Sequence, residues 1–365
     1  MRRSGEGPFA RWNHEYWPWY LIYMPVLPGL LLHAIRNRSL VFFTNVNPAI
    51  DMGGFFGERK SEIYALLPKG SYPTTLLIEP GTPTDEVLSR MRTVGLSFPH
   101  MVKPDTGERG DGVQRIEHEG ALRTVLADQR APLLLQELVP WEHEYGLMVM
   151  KDPATGRATL LSITGKRFLA VVGDGRSTVA QLLRATLRGR KQVQRLSDYK
   201  ADLLAHVPMR NERVVVEPIG NHCRGTSFLD ARHLATPALT EAVDALMDGT
   251  EGIYYGRLDV RSPSEEALQQ GRFTILELNG VSSEPGHVYD PAMGIIGCWR
   301  ELLRHVAHLP RLSRALRAQG HHPVPLGTLI ARCEEHFGIT LRFLRVPVWY
   351  LSGARRARPR SMRYP

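Results

Sequence analysis

A chain of 365 residues with 43% hydrophobic content is long enough for two or three domains or subdomains with real cores, which excludes a disordered chain. Its 46 Lys and Arg outnumber 37 Asp and Glu to give a net charge of +9, favouring anionic partners: nucleotides, acidic metabolites, nucleic acid or an anionic membrane surface. Cys223, Cys298 and Cys333 are odd in number, widely spaced and without a CxxC, so neither a disulfide framework nor a zinc site is indicated and a reducing cytoplasm fits.

The first notable element is "YWPWYLIYMPVLPGLLLHAI", Tyr16 to Ile35, which carries no formal charge apart from His33 and nearly has the length to span a bilayer. Pro18, Pro25 and Pro28 each remove a helical donor, and a helix in lipid must satisfy its own backbone, so a continuous crossing helix is not expected. No clear small-residue cleavage site follows, which argues against a secretory signal. The segment is expected either to pack on the protein or to lie in a membrane interface, anchored there by Trp12, Trp17, Trp19, Tyr20 and Tyr23.

In "SFPHMVKPDTGERGDGVQRI" an extended apolar segment ends at Lys103, followed by Gly107, Gly110 and Gly112 and a resumed strand from Val113 to Ile116. Such a hairpin is either a plain turn or a flap whose backbone N–H groups approach phosphate, with the lysine as a point charge. It is neither a Walker A loop nor a GxGxxG fingerprint. Next, "APLLLQELVPWEHEYGLMVM" predicts a buried strand, a polar hinge over Gln136 to Val139 and a second strand after Glu144. An adenine would bond to the hinge backbone and a ribose to Glu144, although a plain strand–loop–strand accounts for the pattern as well.

"AVVGDGRSTVAQLL" predicts a turn at Gly173-Asp174-Gly175 and a capping box of Thr178 with Gln181. The basic run "RATLRGRKQVQR" at residues 184 to 195 reads as a solvated helix or as a cover over an acidic substrate. "YYGRLDVRS" and "FTILELNGVSSEPGH" read as strands on which Arg257 shares a face with Asp259, and Glu277 with Asn279. If the two strands pair, these groups meet at one spot, where they need mutual pairing, a metal or a charged ligand. Oxygen donors without thiols suit a hard ion such as Mg2+. After Glu335 the chain has no acid but carries Arg342, Arg345, Arg355, Arg356, Arg358, Arg360 and Arg363, which reads as a solvated basic appendage rather than a nucleic-acid arm.

In this order the motifs over roughly residues 56 to 305 resemble the ATP-grasp superfamily, in particular D-alanine-D-alanine ligase-like and cyanophycin-synthetase-like carboxylate-amine ligases. The resemblance implies an α+β ATP-grasp fold with two α+β subdomains clasping ATP: an atypical lobe over 1–55, an ATP-grasp domain over 56–310 (flap subdomain about 96–150, metal-binding subdomain about 151–310) and a helical, basic tail over 311–365. It also implies two Mg2+ ions held by Asp259, Glu277 and Asn279, with Arg257 and Lys103 in catalysis. ATP would contact Lys60, Lys103, Lys166, the glycines Gly107, Gly110 and Gly112, the hinge Gln136, Glu137, Leu138 and Val139, and Glu144. The implied reaction is phosphorylation of a carboxylate and attack of an amine on the acyl phosphate, the alternatives being an acceptor other than an amine or a membrane-peripheral nucleotide-binding module without ligase activity.

The departures matter as well. The usual N-terminal lobe is short and replaced by the proline-rich aromatic segment and "FFTNVNPAIDMGGFFGE", so D-alanine is not expected as substrate. "GNHCRGTSFLD", by contrast, resembles a glycine-containing loop near the substrate in those ligases, which implies Arg224 as a carboxylate clamp, while Ser282, Ser283, Glu284 and His287 read as the lining of a different acceptor pocket or as a structural turn. The expected partners are a small-molecule carboxylate and an amine, with no specific nucleic acid. The expected location is the cytoplasm, with peripheral membrane contact left open.

Overall fold

Alternating apolar residues build three antiparallel sheets in a computed structural model that describes residues 13–107 and 110–338. Trp12 and the arginines beyond Gly338 lie outside the described residues. The chain divides after Pro323. The second unit contributes one described helix, Leu326–Phe337, which starts after Pro325 and ends at Gly338 with φ 62°. Everything else described here belongs to the first unit.

The first sheet contains β1 (Thr75–Ile78), β2 (His100–Pro104), β3 (Gln114–Ile116) and β4 (Leu133–Glu137) in the order β1-β4-β2-β3. Helices Thr84–Thr93 and Glu119–Ala127 close its core, where Ile78, Val87, Met91, Val102, Leu122 and Leu135 are buried together. β2 and β3 pair antiparallel across the glycine turn, so the expected hairpin is present, with its strand resuming at Gln114 rather than Val113.

Next in the chain come β5 (His143–Lys151), β6 (Ala158–Arg167), β7 (Leu169–Val172), β8 (Arg213–Glu217), β9 (Ser227–Asp230), β10 (Tyr255–Ser262) and β11 (Thr274–Asn279). Five of them form a sheet in the order β11-β10-β5-β6-β9, and β7 pairs only with β8. One face of the large sheet packs on helix Pro237–Asp248, burying Leu147, Ile163, Leu239, Val243, Leu258 and Ile275. Each such side chain contributes roughly 1.5–3 kcal/mol by leaving water. The opposite face carries the polar groups.

Local chemistry explains the connecting pieces. Asp174 accepts from Arg176 N at 2.9 Å and Ser177 N at 2.7 Å, and those bonds hold its carboxyl down at about 2. Thr178 and Gln181 make the expected reciprocal cap on helix Val179–Arg184. The basic run becomes helix Leu187–Ser197, and it is not simply solvated: Val193 and Leu196 are buried, and Arg195 pairs with Glu217 at 3.1 Å.

At the N-terminal end the prolines divide the apolar segment into helices Trp19–Tyr23 and Leu27–Asn37, with Pro28 in the first turn of the second, where its missing donor costs nothing. Ile22 and Val26 pack against Val288, Cys298 and Leu302. Leu27, Leu31 and Ile35, four residues apart, face outward with 47%, 55% and 65% of their surface exposed, so this helix shows an apolar stripe to solvent. No described helix is long and apolar enough to cross a membrane.

Candidate functional site

Three neighbouring strands of the large sheet, with β6 beside them, bring the polar groups into rows. β10 and β11 pair so that Arg257 stands opposite Asn279 and Asp259 opposite Glu277, with a bulge directly after Asp259. On the other side of β10, Arg261 pairs with Glu144 of β5, and Glu144 in turn with Lys166 of β6. Side chains directly opposite on antiparallel strands lie about 4.5–5.5 Å apart at Cβ, so each row is in contact. Gly146 faces Asp259 in the middle; a Cβ there would lie 3.0 Å from Arg257 Cδ and 3.4 Å from Asp259 Oδ1.

Asp259 accepts from Arg257 Nε at 2.8 Å, Arg257 Nη2 at 3.2 Å and Asn279 Nδ2 at 3.4 Å, and pairs with Lys166 Nζ at 3.2 Å. Burial opposes its ionisation, but Arg257 and Lys166 outweigh burial and hold the carboxyl below the usual range. Lys166 shows the converse: burial disfavours its charge, while Asp259 and Glu144 restore and raise its proton affinity. Arg257 Nη1 also donates to the Glu284 carbonyl at 3.1 Å, which ties the loop after β11 to the cluster. Glu277 is different. Its side chain is 36% exposed, and its ion pair is a loose one with Lys60 at 3.7 Å.

Lys60 opens helix Lys60–Ala65 and also donates to the Gly107 carbonyl at 2.6 Å, joining the glycine turn to Glu277. One helical turn on, Tyr64 accepts from Lys103 Nζ at 2.6 Å and donates to the Leu276 carbonyl. Lys103 donates further to Gln136 Oε1 at 3.0 Å and to Leu276 O at 3.2 Å, so its three donors are all used within the protein. Burial pushes its ammonium down to about 8, although Glu277 works the other way. The turn itself needs its glycines: Gly110 and Gly112 have φ of 71° and 66°.

The sequence-predicted residues therefore divide. Lys60, Lys103, Gln136, Glu144, Lys166, Arg257, Asp259, Glu277 and Asn279 come together in one connected cluster. Gln136 does so as part of β4 and not as a hinge, because its buried amide bridges Lys103, Tyr64 and Thr75. Glu137 is exposed and its carboxylate accepts from Thr74 N at 3.2 Å. Leu138 is half-buried, and the Val139 carbonyl already accepts from Arg261 at 3.0 Å. Glu144 lies inside β5, not before it, and its two oxygens are held by Lys166 at 3.1 Å and Arg261 at 3.0 Å.

The residues read as an acceptor site are engaged by neighbouring groups of the protein. Arg224 donates to the Gly110 carbonyl at 2.6 Å and faces Glu217 at 3.6 Å, so it fastens the glycine turn. Ser282 and Ser283 donate to the carbonyls of Gly54 and Gly280 at 3.2 Å and 2.6 Å, the structural-turn alternative. His287 is fully buried beside Glu301 and His305. An open cavity of about 330 Å3 does lie beside Glu144 and Lys166, walled by Tyr145, Phe168 and Leu229.

Sequence reasoning missed several residues. Arg261 stands two positions beyond Asp259 on the same strand face, and Tyr64 four beyond Lys60 on one helix, so both periodicities could have found them. Asn47 carried no such signal. Fully buried, it donates to Gly53 O and Tyr255 O at 2.9 and 2.8 Å and accepts from Tyr254 N and Tyr255 N at 2.8 and 2.9 Å, which pins the N-terminal segment to the start of β10.

No protein-family model matches the chain, and no curated protein is similar to it in sequence. Among solved structures, the bifunctional glutathione synthetase from Pasteurella multocida is similar at TM-score 0.36 and 14% identity, over 63% of this chain but only 33% of that one. The D-alanine–D-alanine ligase from Bacillus anthracis is similar at TM-score 0.39 and 13% identity, covering 69% of this chain and 68% of that one. The VanG D-Ala:D-Ser ligase from Enterococcus faecalis reaches TM-score 0.39 at 10% identity, over 69% and 61% of the two chains. These are enzymes of the kind that the sequence motifs resemble. Superpositions this loose assign the chain no activity.

Proposed function

We propose that the chain is an ATP-grasp enzyme, an ATP- and Mg2+-dependent ligase that joins a small-molecule carboxylate to an amine through an acyl phosphate. The observation that carries this reading is the cluster itself: Lys60, Lys103, Lys166, Arg257 and Arg261 surround Glu144, Asp259 and Glu277 beside a glycine turn. Cations exceed carboxylates there, which suits a polyphosphate anion.

The donors also fit magnesium. Asp259, Glu277 and Asn279 offer only hard oxygens from paired strands, and the partly exposed Glu277 has a loose ion pair with Lys60 at 3.7 Å to release. A bound ion would supply neutralisation of phosphate charge. Lys60 and the glycine-turn backbone would orient the phosphates, and Arg257 would stabilise charge on the transferring phosphoryl group. The substrate carboxylate attacks the γ-phosphorus with ADP as leaving group; the amine then attacks the acyl carbon, expelling phosphate. No protein nucleophile is required, so the residues act by position and charge. An acceptor other than an amine is the alternative chemistry. The test is to incubate purified protein with Mg2+ and ATP against pools of amino acids, dipeptides and acids, following ADP release and product mass. ADP release that no substrate pool stimulates would overturn the ligase reading.

We also infer that the outward stripe of Leu27, Leu31 and Ile35 rests on an anionic membrane surface. Trp19 and Tyr20, 73% and 49% exposed, flank it as interfacial aromatics, and from Tyr16 to Ile50 the chain has Arg36 and Arg38 but no acid. Helices of five and eleven residues lie on a bilayer rather than cross it.

A further inference from the structure

Helix Gly294–Val306 places Glu301 and His305 one turn apart, and the 3-10 turn Gly286–Tyr289 places His287 against them. All three are buried, with 0%, 4% and 4% of the surface of His287, Glu301 and His305 exposed. One ring nitrogen of each histidine and one carboxylate oxygen lie within 4.8 Å of one another. Neither nitrogen of His287 has a hydrogen-bond partner, and neither does Nδ1 of His305.

A buried polar atom left unpaired costs about 1–3 kcal/mol, and native interiors rarely keep several in one place without a ligand. The separation of His287 Nε2 from Glu301 Oε2, 3.7 Å, is too long for a hydrogen bond. Two imidazoles and a carboxylate instead form a donor set suited to zinc and its neighbours in the first transition row.

The surroundings orient these donors. Arg232 holds Glu301 Oε1 at 3.2 Å, leaving Oε2 toward His287, and Ser162 Oγ stands 3.4 Å from His305 Nε2, leaving Nδ1 uncommitted. Outer contacts of this kind fix the tautomer and direction of metal ligands. Donors of a tetrahedral ion with bonds near 2.0–2.1 Å stand about 3.3 Å apart, so a bound ion would draw these three groups closer together.

We propose that His287, Glu301 and His305 form a binding site for a divalent transition-metal ion of the zinc type, separate from the carboxylate pair on β10 and β11. The ion would fasten the turn Gly286–Tyr289 to helix Gly294–Val306. That turn follows Glu284, whose carbonyl receives Arg257, so the metal supports the loop behind the candidate active site. The inference does not depend on the ligase reading.

The test uses the full chain stripped with a chelator, then loaded with Zn2+ or Co2+ in excess Mg2+ so that oxygen-only sites are competed. One Zn2+ per chain should survive desalting, and the Co2+ form should show the visible absorption of a four- or five-coordinate ion. Both should be lost in His305→Gln and kept in Glu277→Gln. No stoichiometric retention by the wild type, or equal retention by His305→Gln, would overturn the proposal. Should His305→Gln fail to fold, X-ray absorption of the zinc-loaded wild type decides: two imidazole nitrogens are expected, and an oxygen-only shell overturns the site.

Discussion

Asp259 and Glu277 stand directly opposite each other on adjacent strands, yet Asp259 is locked between Arg257 and Lys166 while Glu277 faces Lys60 across 3.7 Å. The two carboxylates therefore differ in what they can give to a ligand. Removing the charge of Asp259 would strand two buried cations at a cost of about 3–5 kcal/mol, so that position confuses folding with function.

Glu277→Gln separates them. Its loose, partly exposed ion pair is worth at most about 1 kcal/mol, so the melting temperature should hardly move. If Glu277 holds magnesium, kcat for substrate-dependent ADP release should fall on the order of 10²-fold or more, about 3 kcal/mol. Asn279→Ala should act on the same ion, and the double variant should lose less than the product of the single losses. Normal turnover by a folded Glu277→Gln enzyme would sink the metal assignment.

Lys103 offers a pH test with a definite sign. Its ammonium is depressed from 10.5 to about 8, so it carries its charge below pH 8 and loses it as pH rises through that value. Attraction for phosphate should fall in step, raising the apparent KM for ATP about tenfold between pH 7 and 9, or ~1.4 kcal/mol. Unfolding would not mimic this, because between pH 8 and 10.5 the unfolded chain holds more of this proton and stability from this residue rises with pH. Lys103→Met should have the high KM at every pH. Identical pH profiles for the two proteins would confine Lys103 to its structural bonds with Tyr64, Gln136 and Leu276.

Much of the site was legible because strand periodicity is strict. Reading Arg257, Asp259, Glu277 and Asn279 as same-face pairs needed only their two-residue spacing, and the register then brought them together. The capping box was equally local. Gln136 was misread because a polar residue after an apolar run looks like a loop, whereas here a buried lysine and tyrosine satisfy it inside a strand. His287 stayed open between a pocket lining and a structural turn for a related reason: whether an imidazole faces a pocket or the interior depends on Glu301 and His305, which arrive from a helix further along the chain. Asn47 was invisible because its four backbone partners are set by tertiary structure alone.

The apolar stripe gives a prediction independent of chemistry. The protein should cosediment with vesicles containing phosphatidylglycerol and bind phosphatidylcholine vesicles less. Leu31→Glu and Ile35→Glu should weaken that binding about tenfold or more while shifting stability by no more than about 0.5 kcal/mol, since both positions are exposed. Failure of the wild type to bind anionic vesicles would leave the stripe without this role.

The N-terminal segment meets the end of β11 at glycines. A Cβ on Gly280, the residue after Asn279, would lie 2.6 Å from both Gly53 O and Gly54 Cα, and Val281 N donates to Gly53 O at 2.9 Å. These obstacles are backbone, which no side-chain rotation can clear. Gly280→Ala must therefore displace one segment or the other and should cost about 1–3 kcal/mol in stability. Since Asn279 is covalently next in line, displacement of the strand end should also lower turnover of the enzyme that remains folded, beyond what the folded fraction explains. Gly327→Ala, in a helix with open space around the added methyl, is the control and should be neutral or slightly stabilising. Melting temperature and ADP release measured on the same preparations decide the matter. A variant less stable but fully active per folded molecule would show that the Gly53–Gly54 contact holds the fold without positioning Asn279, and an unchanged melting temperature would show that the segment yields freely.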